Sequence, residues 1–369
     1  MKGIDWPRCP GKDVLRRRAL LAAAVLACLV AAWLWYVPEQ ERWERRVAEL
    51  CGDAVPPAEV RSLIGNNTGD FRAGRDSEVG DSSRLTECRV GDIDIQVARL
   101  AHEDSGHAPL LRAFDGQGLP VPLGNGWTGY HTGAHTAVAL ECAGTAASVI
   151  VETSITRSAP SDDPQTRLQQ AGFTTAVAER AARTWDCETV LGEPLTAVAL
   201  PTTEELYEPV AEAAGTCAGL PVDGDDRVAS VWETATDPDA LWETCFLGTA
   251  TGVPMYELRA YYGPSAQRKL LEYTDRYSAR RPHEADTDAG PLGFYRGQAE
   301  GMNDAELWGS ATCGGRRALF EVTVARDPRD GLGEPDTLWW SSHHISQALL
   351  SDFAQQAVER HDCTGLALP

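Results

Sequence analysis

The chain has 369 residues, of which 43% are hydrophobic and 24% are charged, a composition that supplies enough apolar side chains for globular cores. Its 33 basic and 54 acidic side chains give a formal net charge of −21. A surface this acidic repels phosphate backbones, which argues against any nucleic-acid partner.

The N-terminal segment has the pattern of a basic tail followed by a membrane anchor. Residues 19–37 contain no charged residue and would form a helix about 28 Å long, close to the ~30 Å of a bilayer's hydrocarbon core. Aromatic residues gather at the far end of this stretch, and basic residues precede it. We therefore predict a cytoplasmic tail over 1–18, a single transmembrane anchor over 19–37 and an extracytoplasmic remainder, which makes the cell membrane an expected partner.

Two other interpretations of this segment stay open. A cleavable secretory signal has a shorter apolar region that ends in small residues, whereas this one ends in Trp-Leu-Trp-Tyr at 33–36. The residues around Cys28 loosely resemble a lipobox, so acylation of Cys28 after cleavage is the second alternative. The apolar run that continues after Cys28 favours the uncleaved anchor.

The cysteines predict a disulfide framework. Of the ten, Cys9 and Cys28 lie in the N-terminal segment, and an even number remains in the part predicted to be exported. Four cysteines allow three pairings in each half of the chain, and pairing neighbours closes the shortest loops. The favoured pairs are therefore Cys51–Cys88, Cys142–Cys187, Cys217–Cys245 and Cys313–Cys363.

The surroundings of these cysteines predict an internal duplication. In each half the first cysteine follows a helical pattern, at 43–50 and at 206–214, and the second lies in a strand-like stretch. A turn and a β-branched strand follow the third cysteine, and a helix that ends in Asp-Cys carries the fourth. We predict an α+β fold with two similar modules, 38–200 and 201–369, each ordered helix, antiparallel strands, helix, and an exposed loop inserted at 280–290.

One pair of histidines is the best candidate for chemistry. His131 and His135 would share one face of a helix and could bind zinc there. The glycines around them favour a surface loop that runs into a strand, so metal binding by His131 and His135 is the alternative interpretation. The sequence contains neither a Gly-x-Ser-x-Gly elbow nor a Cys-x-x-Cys pair, and we predict no catalytic residue and no cofactor.

The basic tail with its apolar segment, the helix that ends at Leu50-Cys51, the strand opening at 85–88 and the two Asp-Cys helix ends together resemble a known pattern. They are similar to actinobacterial membrane-anchored, lipoprotein-like extracytoplasmic proteins of unknown function with a duplicated four-cysteine domain. The resemblance implies a place at the cell envelope and carries over no catalytic residue.

The function expected from these features is a non-enzymatic binding or accessory module pair at the cell envelope, with an envelope protein as a possible partner. The main alternative is an extracytoplasmic hydrolase or metal-dependent enzyme that uses His131 and His135. A purely structural role as a spacer is the third possible function.

Overall fold

The computed structural model describes residues 12–64, 71–78, 83–102, 119–155, 163–201, 207–223, 225–278, 301–302, 306–324 and 335–369. It is a mixed α/β fold with two large antiparallel sheets. The helices are α1 (Lys12–Leu50), α2 (Pro57–Ile64), α3 (Pro164–Thr184), α4 (Gly263–Ser278) and α5 (Pro335–Arg360).

The first sheet, sheet A, is built from the first half of the chain. Its strands are β1 (Phe71–Glu78), β2 (Arg84–Val90), β3 (Ile93–Ala101), β4 (Val121–Gly124), β5 (Trp127–His131), β6 (His135–Cys142) and β7 (Ala147–Ile155). They lie in the order β1-β2-β3-β7-β6-β5-β4.

The second sheet, sheet B, is built from the second half. Its strands are β8 (Glu208–Pro209), β9 (Ser230–Glu233), β10 (Trp242–Gly248), β11 (Pro254–Tyr261), β12 (Gly301–Met302), β13 (Glu306–Cys313), β14 (Arg316–Val324) and β15 (Thr364–Ala367). They lie in the order β12-β13-β14-β11-β10-β9-β8, with β15 paired to β13.

Four neighbouring strands follow the same order in both sheets. In sheet A the order is β2-β3-β7-β6, and in sheet B it is β10-β11-β14-β13. The first strand of each set carries Cys88 or Cys245, and the last carries Cys142 or Cys313. An internal duplication would produce this arrangement, although the common origin of the two halves stays a prediction.

The predicted disulfides are confirmed. The bonds join Cys51 to Cys88, Cys142 to Cys187, Cys217 to Cys245 and Cys313 to Cys363, which is the pairing of neighbours favoured by the sequence. None of these bonds crosses from one half of the chain to the other. Each therefore ties a helix end or a loop to a strand within its own sheet.

Local residue choices explain where helix α3 begins and where the chain turns from β4 into β5. The Asp163 carboxylate caps α3 by accepting a hydrogen bond from the backbone N–H of Thr166 at 3.0 Å, and Pro164 occupies the first turn. Asn125 and Gly126 have φ angles of 55° and 77°, which matches the two-residue turn that joins β4 to β5.

The two sheets pack against each other, with helices on their remaining faces. One core lies between sheet A and helices α1 to α3, and a second lies between sheet B and α5. A third core contains residues of both sheets, among them Leu100 and Ile150 from sheet A and Trp242 and Leu319 from sheet B. The result is a helix–sheet–sheet–helix stack, with α4 beside the sheet–sheet contact.

The predicted fold class is wrong in its first element. Within the part of the chain whose side chains the structure describes, no helix has an apolar stretch long enough to cross a bilayer. The predicted anchor lies within α1, which begins at Lys12. The same helix continues to Leu50, and its last turns pack Trp43 and Val47 on the core of sheet A.

The second module also lacks its predicted first helix. Residues 207–223 contain β8 and a single 3₁₀ turn, Val210–Glu212, and residue 206 lies outside the described residues. The Glu233 carboxylate accepts hydrogen bonds from the backbone N–H groups of Ala214, Gly215 and Cys217, so these groups do not bond within a helix. The predicted loop at 280–290 and most of the predicted basic tail also lie outside the described residues.

Candidate functional site

The face of sheet A that meets sheet B changes from apolar to polar along its strands. We call this face the contact face. Leu85, Ala98, Ile150 and Ala139 lie side by side across β2, β3, β7 and β6 and belong to the core shared with sheet B. Because side chains on one face of a strand recur every second residue, the next positions on this face lie about 6.7 Å further along each strand.

Those next positions form two rows of polar side chains. The inner row lies next to the apolar row and contains the cross-strand partners Glu87, Gln96 and Glu152. The outer row lies one step further from the core and contains cross-strand partners on five strands: Arg72, Arg89, Asp94, Ser154 and His135.

The two polar rows form the floor of a groove of about 440 Å³, which we call the sheet-A groove. Its lining consists of both rows and of the neighbouring Cys88 and Ile95. This volume falls within the ~300–1,000 Å³ of typical small-molecule sites. The floor is polar, whereas most such sites are mainly apolar, so a ligand that fits it must offer polar groups.

Charges in the sheet-A groove are partly neutralised by pairing. The Arg89 guanidinium donates two hydrogen bonds to the Asp94 carboxylate, and this carboxylate, with burial opposing it, raises the pKa of Arg89. Arg72 is the direct cross-strand neighbour of Arg89, and like charges in this position repel each other. Within the described residues the exposed Arg72 side chain has no hydrogen-bond partner, so it is available to an anionic or carbonyl group of a ligand.

At the other end of the groove, an imidazole and a carboxylate meet. His135 Nδ1 lies 3.5 Å from Glu152 Oε1, and the exposed fractions of the two side chains are 51% and 11%. Ser154 is the direct cross-strand neighbour of His135. This end of the groove therefore brings together a hydroxyl, an imidazole and a carboxylate.

The row that contains Glu152 continues through Ala137 to Tyr130 at the boundary between the sheets. Tyr130 is buried and stacks on Trp242 of sheet B, with ring centroids 4.6 Å apart. Burial, with the nearby Glu152 carboxylate, raises the pKa of Tyr130 well above its usual value. Tyr130 therefore stays neutral at ordinary pH and acts as a structural contact between the sheets.

The structure separates the two histidines that the sequence grouped. His131 ends β5 and is opposite Thr136, whereas His135 begins β6, so the two side chains point to opposite faces of sheet A. The buried His131 ring shares a hydrogen bond of 2.9 Å with the Thr136 hydroxyl, and its Nε2 atom has no partner within the described residues. Burial, aided by Arg167, lowers the pKa of His131 to about 4. One metal ion cannot bind both rings in this arrangement.

The described residues contain no group of three or more histidine, cysteine, aspartate or glutamate side chains placed to hold a metal ion. The eight cysteines predicted to be structural are all in disulfides, and Cys28 is exposed with a free thiol. Neither group supplies a cofactor site.

Sequence reasoning identified His135 but missed its neighbours in the sheet-A groove. Glu152 and Ser154 lie within a β-branched strand that the sequence did predict. Because they are two positions apart on this strand, the sequence also indicated that their side chains share one face. The pairing of that strand with β6 and β3 could not be predicted from the sequence, because the register depends on contacts between residues far apart in the chain.

Comparison of this chain with protein-family models, with curated proteins and with solved structures gives no match. The resemblance to lipoprotein-like envelope proteins therefore stays a prediction. The sheet-A groove and the disulfides are the features of the molecule that bear on its function.

Proposed function

We propose that this protein binds a small polar ligand in the sheet-A groove, in an oxidising extracytoplasmic compartment. The observation that carries the proposal is the groove of about 440 Å³ with its two rows of polar side chains. Binding does not require the strands to move, because the groove floor consists of strands whose other face packs on the core under α3. A rigid floor reduces the entropy lost when a ligand binds.

The polar side chains of the groove floor indicate which class of ligand would bind. Arg72, Gln96 and Ser154 have no side-chain hydrogen-bond partner within the described parts of the chain, although all three line the groove. Polar groups that face a partly enclosed groove gain most from a ligand that offers matching donors and acceptors. We therefore expect a ligand rich in carbonyl, carboxylate or hydroxyl groups.

The compartment follows from the cysteines. Four disulfides persist in oxidising compartments, whereas the cytosol keeps thiols reduced. Alkylation of unreduced protein taken directly from cells tests this part of the proposal. We expect the eight paired cysteines to be protected and the exposed Cys28 to react, which makes Cys28 an internal control.

Thermal unfolding in the presence of small polar molecules tests the binding. The panel would contain sugars, hydroxy acids, amino acids and short esters. A ligand present at about 100 times its Kd stabilises the folded state by about 2.7 kcal/mol, which raises the Tm by several degrees. We expect Arg72→Ala and Gln96→Ala to abolish this rise for the ligand that binds.

Arg84→Ala is the matched control, since Arg84 is an exposed arginine on β2 that does not line the groove. It should leave the ligand-induced rise in Tm intact. If no member of the panel raises the Tm, or if the groove variants and the control respond alike, the proposed function is contradicted.

A further inference from the structure

Ser154 and His135 face each other across two antiparallel strands. The backbone N–H of Ile155 donates to the carbonyl of Ala134 at 3.1 Å, so the adjoining pair, His135 and Ser154, is a non-hydrogen-bonded pair. In such pairs the Cα atoms lie about 4.5 Å apart and the side chains come closest. Both side chains line the sheet-A groove.

A carboxylate holds the imidazole of this pair. Glu152 precedes Ser154 by two residues on the same face of β7, and its Oε1 atom is 3.5 Å from Nδ1 of His135. A carboxylate at Nδ1 favours the tautomer whose Nε2 accepts a proton. The Glu152 side chain is nearly buried, whereas half of the His135 ring is open to the groove.

We propose that Ser154, His135 and Glu152 form a site for the hydrolysis of small polar carboxylic esters. Ser154 is the nucleophile, His135 is the general base, and Glu152 is a positioning residue that orients the imidazole. This inference rests on the proposed function, because the ester must first bind in the sheet-A groove.

The reaction follows the two-step course of acyl transfer. The Ser154 oxygen forms a bond to the ester carbonyl carbon while its proton moves to Nε2 of His135. The bond from that carbon to the alkoxy oxygen then breaks, and the leaving alcohol takes the proton from His135. A water molecule repeats the sequence on the acyl-serine, releases the carboxylic acid and restores both side chains.

One polar side chain of the groove floor is placed beside Ser154, where it can stabilise the negative charge that develops on the carbonyl oxygen. Gln96 is the cross-strand partner of Glu152 and therefore lies diagonal to Ser154, with an amide that has no side-chain partner within the described residues. Arg72 is in the same row as Ser154 but three strands away, about 14 Å at ~4.8 Å per strand, so its guanidinium is placed to bind another part of the ester. Donors aimed at this oxygen act in the transition state more than in the ground state.

A second histidine, carboxylate and serine in the same sheet provide a matched contrast. His102 Nε2 lies 2.9 Å from Glu141 Oε2, but the Ser148 hydroxyl donates to the Glu141 carboxylate at 3.1 Å. With its proton on the carboxylate, Ser148 is not placed for activation by the imidazole. His102→Ala is therefore the control for His135→Ala, and Ser62→Ala, at an exposed serine of α2, is the control for Ser154→Ala.

The test is covalent labelling of the full, disulfide-bonded chain by a fluorophosphonate, with the adduct located by peptide mass spectrometry and the labelling rate measured. Hydrolysis of 4-nitrophenyl acetate is measured in parallel. We expect one adduct on Ser154, none in Ser154→Ala, and at least a tenfold lower labelling rate in His135→Ala. The controls His102→Ala and Ser62→Ala should retain the wild-type rate.

The positioning role of Glu152 has its own readout. In Glu152→Gln we expect labelling to slow at least tenfold, because a neutral amide no longer holds the imidazole in the tautomer whose Nε2 accepts a proton. Glu152→Asp, which keeps the charge, should restore part of the rate. If Glu152 only supported the structure, Glu152→Asp would label as slowly as Glu152→Gln.

Labelling elsewhere than Ser154, or labelling of Ser154 at the same rate in His135→Ala, would overturn the inference. The proposed function fails separately. A protein that binds polar molecules in the groove but is never labelled at Ser154 retains its binding function and is not an esterase. A protein that neither binds nor is labelled loses both assignments.

Discussion

Tyr130 of sheet A and Trp242 of sheet B stack with their ring centroids 4.6 Å apart and their planes inclined by 21°. They join the two halves of the chain at the boundary between the apolar core and the sheet-A groove. On the other side of the apolar row, the Arg316 guanidinium of sheet B donates to the Glu141 carboxylate and the Ser148 hydroxyl of sheet A. The sheets are therefore held by a shared core with a polar contact beside it.

Replacing Trp242 by alanine should weaken this contact. A buried tryptophan truncated to alanine costs about 3–5 kcal/mol, because apolar area is lost and a cavity remains. We expect urea unfolding of Trp242→Ala to show a loss in this range and faster hydrogen exchange in β6 and β7. Trp232→Ala is the comparison, since Trp232 stacks on Phe246 in a half-buried position and should cost less than half as much. Equal losses in the two variants would contradict the role given to the stack.

The stability of the protein should fall on acidification because of His131. Its pKa in the folded state is about 4, below the ~6.5 of an unfolded chain, so the unfolded state binds the proton more readily. The contribution is complete above about pH 6.5 and is lost as the pH falls toward 4, in total about 3 kcal/mol. Urea unfolding at pH 7 and pH 4.5 measures it.

Comparison with variants isolates this histidine from the acidic groups that titrate in the same range. His131→Leu should lose less stability than the wild type between the two pH values. A wild-type pH dependence in His131→Leu would show that another group is responsible.

A buried carboxylate in sheet B should make the end of α5 sensitive to mutation. Glu243 is fully buried and accepts hydrogen bonds from Arg360 at 3.0 and 2.8 Å and from the Tyr262 hydroxyl at 3.0 Å. Burial opposes its ionisation, but hydrogen bonds from His361 and Arg360 outweigh burial and lower the pKa of Glu243. Removing Arg360 would leave this charge poorly compensated, and we expect Arg360→Ala to cost about 3 kcal/mol.

The control for Arg360 lies at the corresponding end of α3. Arg183 pairs with Glu179 one turn earlier, and both side chains are exposed. An exposed pair of this kind contributes about 0.3–0.5 kcal/mol, so Arg183→Ala should unfold almost like the wild type. Similar losses for Arg360→Ala and Arg183→Ala in urea would contradict the buried-charge interpretation.

The disulfide that ties the segment after α3 to β6 should contribute a large part of the protein's stability. Cys142 and Cys187 enclose a loop with a sequence separation of 45, and a crosslink over such a loop stabilises the folded state by about 4 kcal/mol through the unfolded chain. We expect the double variant Cys142→Ala/Cys187→Ala to unfold at a correspondingly lower urea concentration. Cys28→Ala, which removes an exposed free thiol, should leave the midpoint unchanged. A double variant as stable as the wild type would contradict this contribution.

The sequence alone determined the disulfides and most of the strands around them. Cysteine pairing followed from loop length and from an even count, and the strands followed from β-branched alternation near Cys88, Cys142 and Cys313. The strand pattern depends only on side chains a few residues apart, and the favoured pairing needed only the positions of the cysteines along the chain. The helix predicted before Cys217 was wrong because Glu233, distant in sequence, binds the backbone N–H groups that a helix would use.

Only the tertiary structure decided which side chains share the sheet-A groove. His131 and His135 are close in sequence, but a tight turn sends their side chains to opposite faces of the sheet. Glu152 and Ser154 join His135 because β7 pairs with β6 in one particular register, and a shift by one residue would turn them into the core under α3. That register is set by the burial of many apolar side chains at once on both faces of sheet A, a property of the packed sheet that no short stretch of sequence contains.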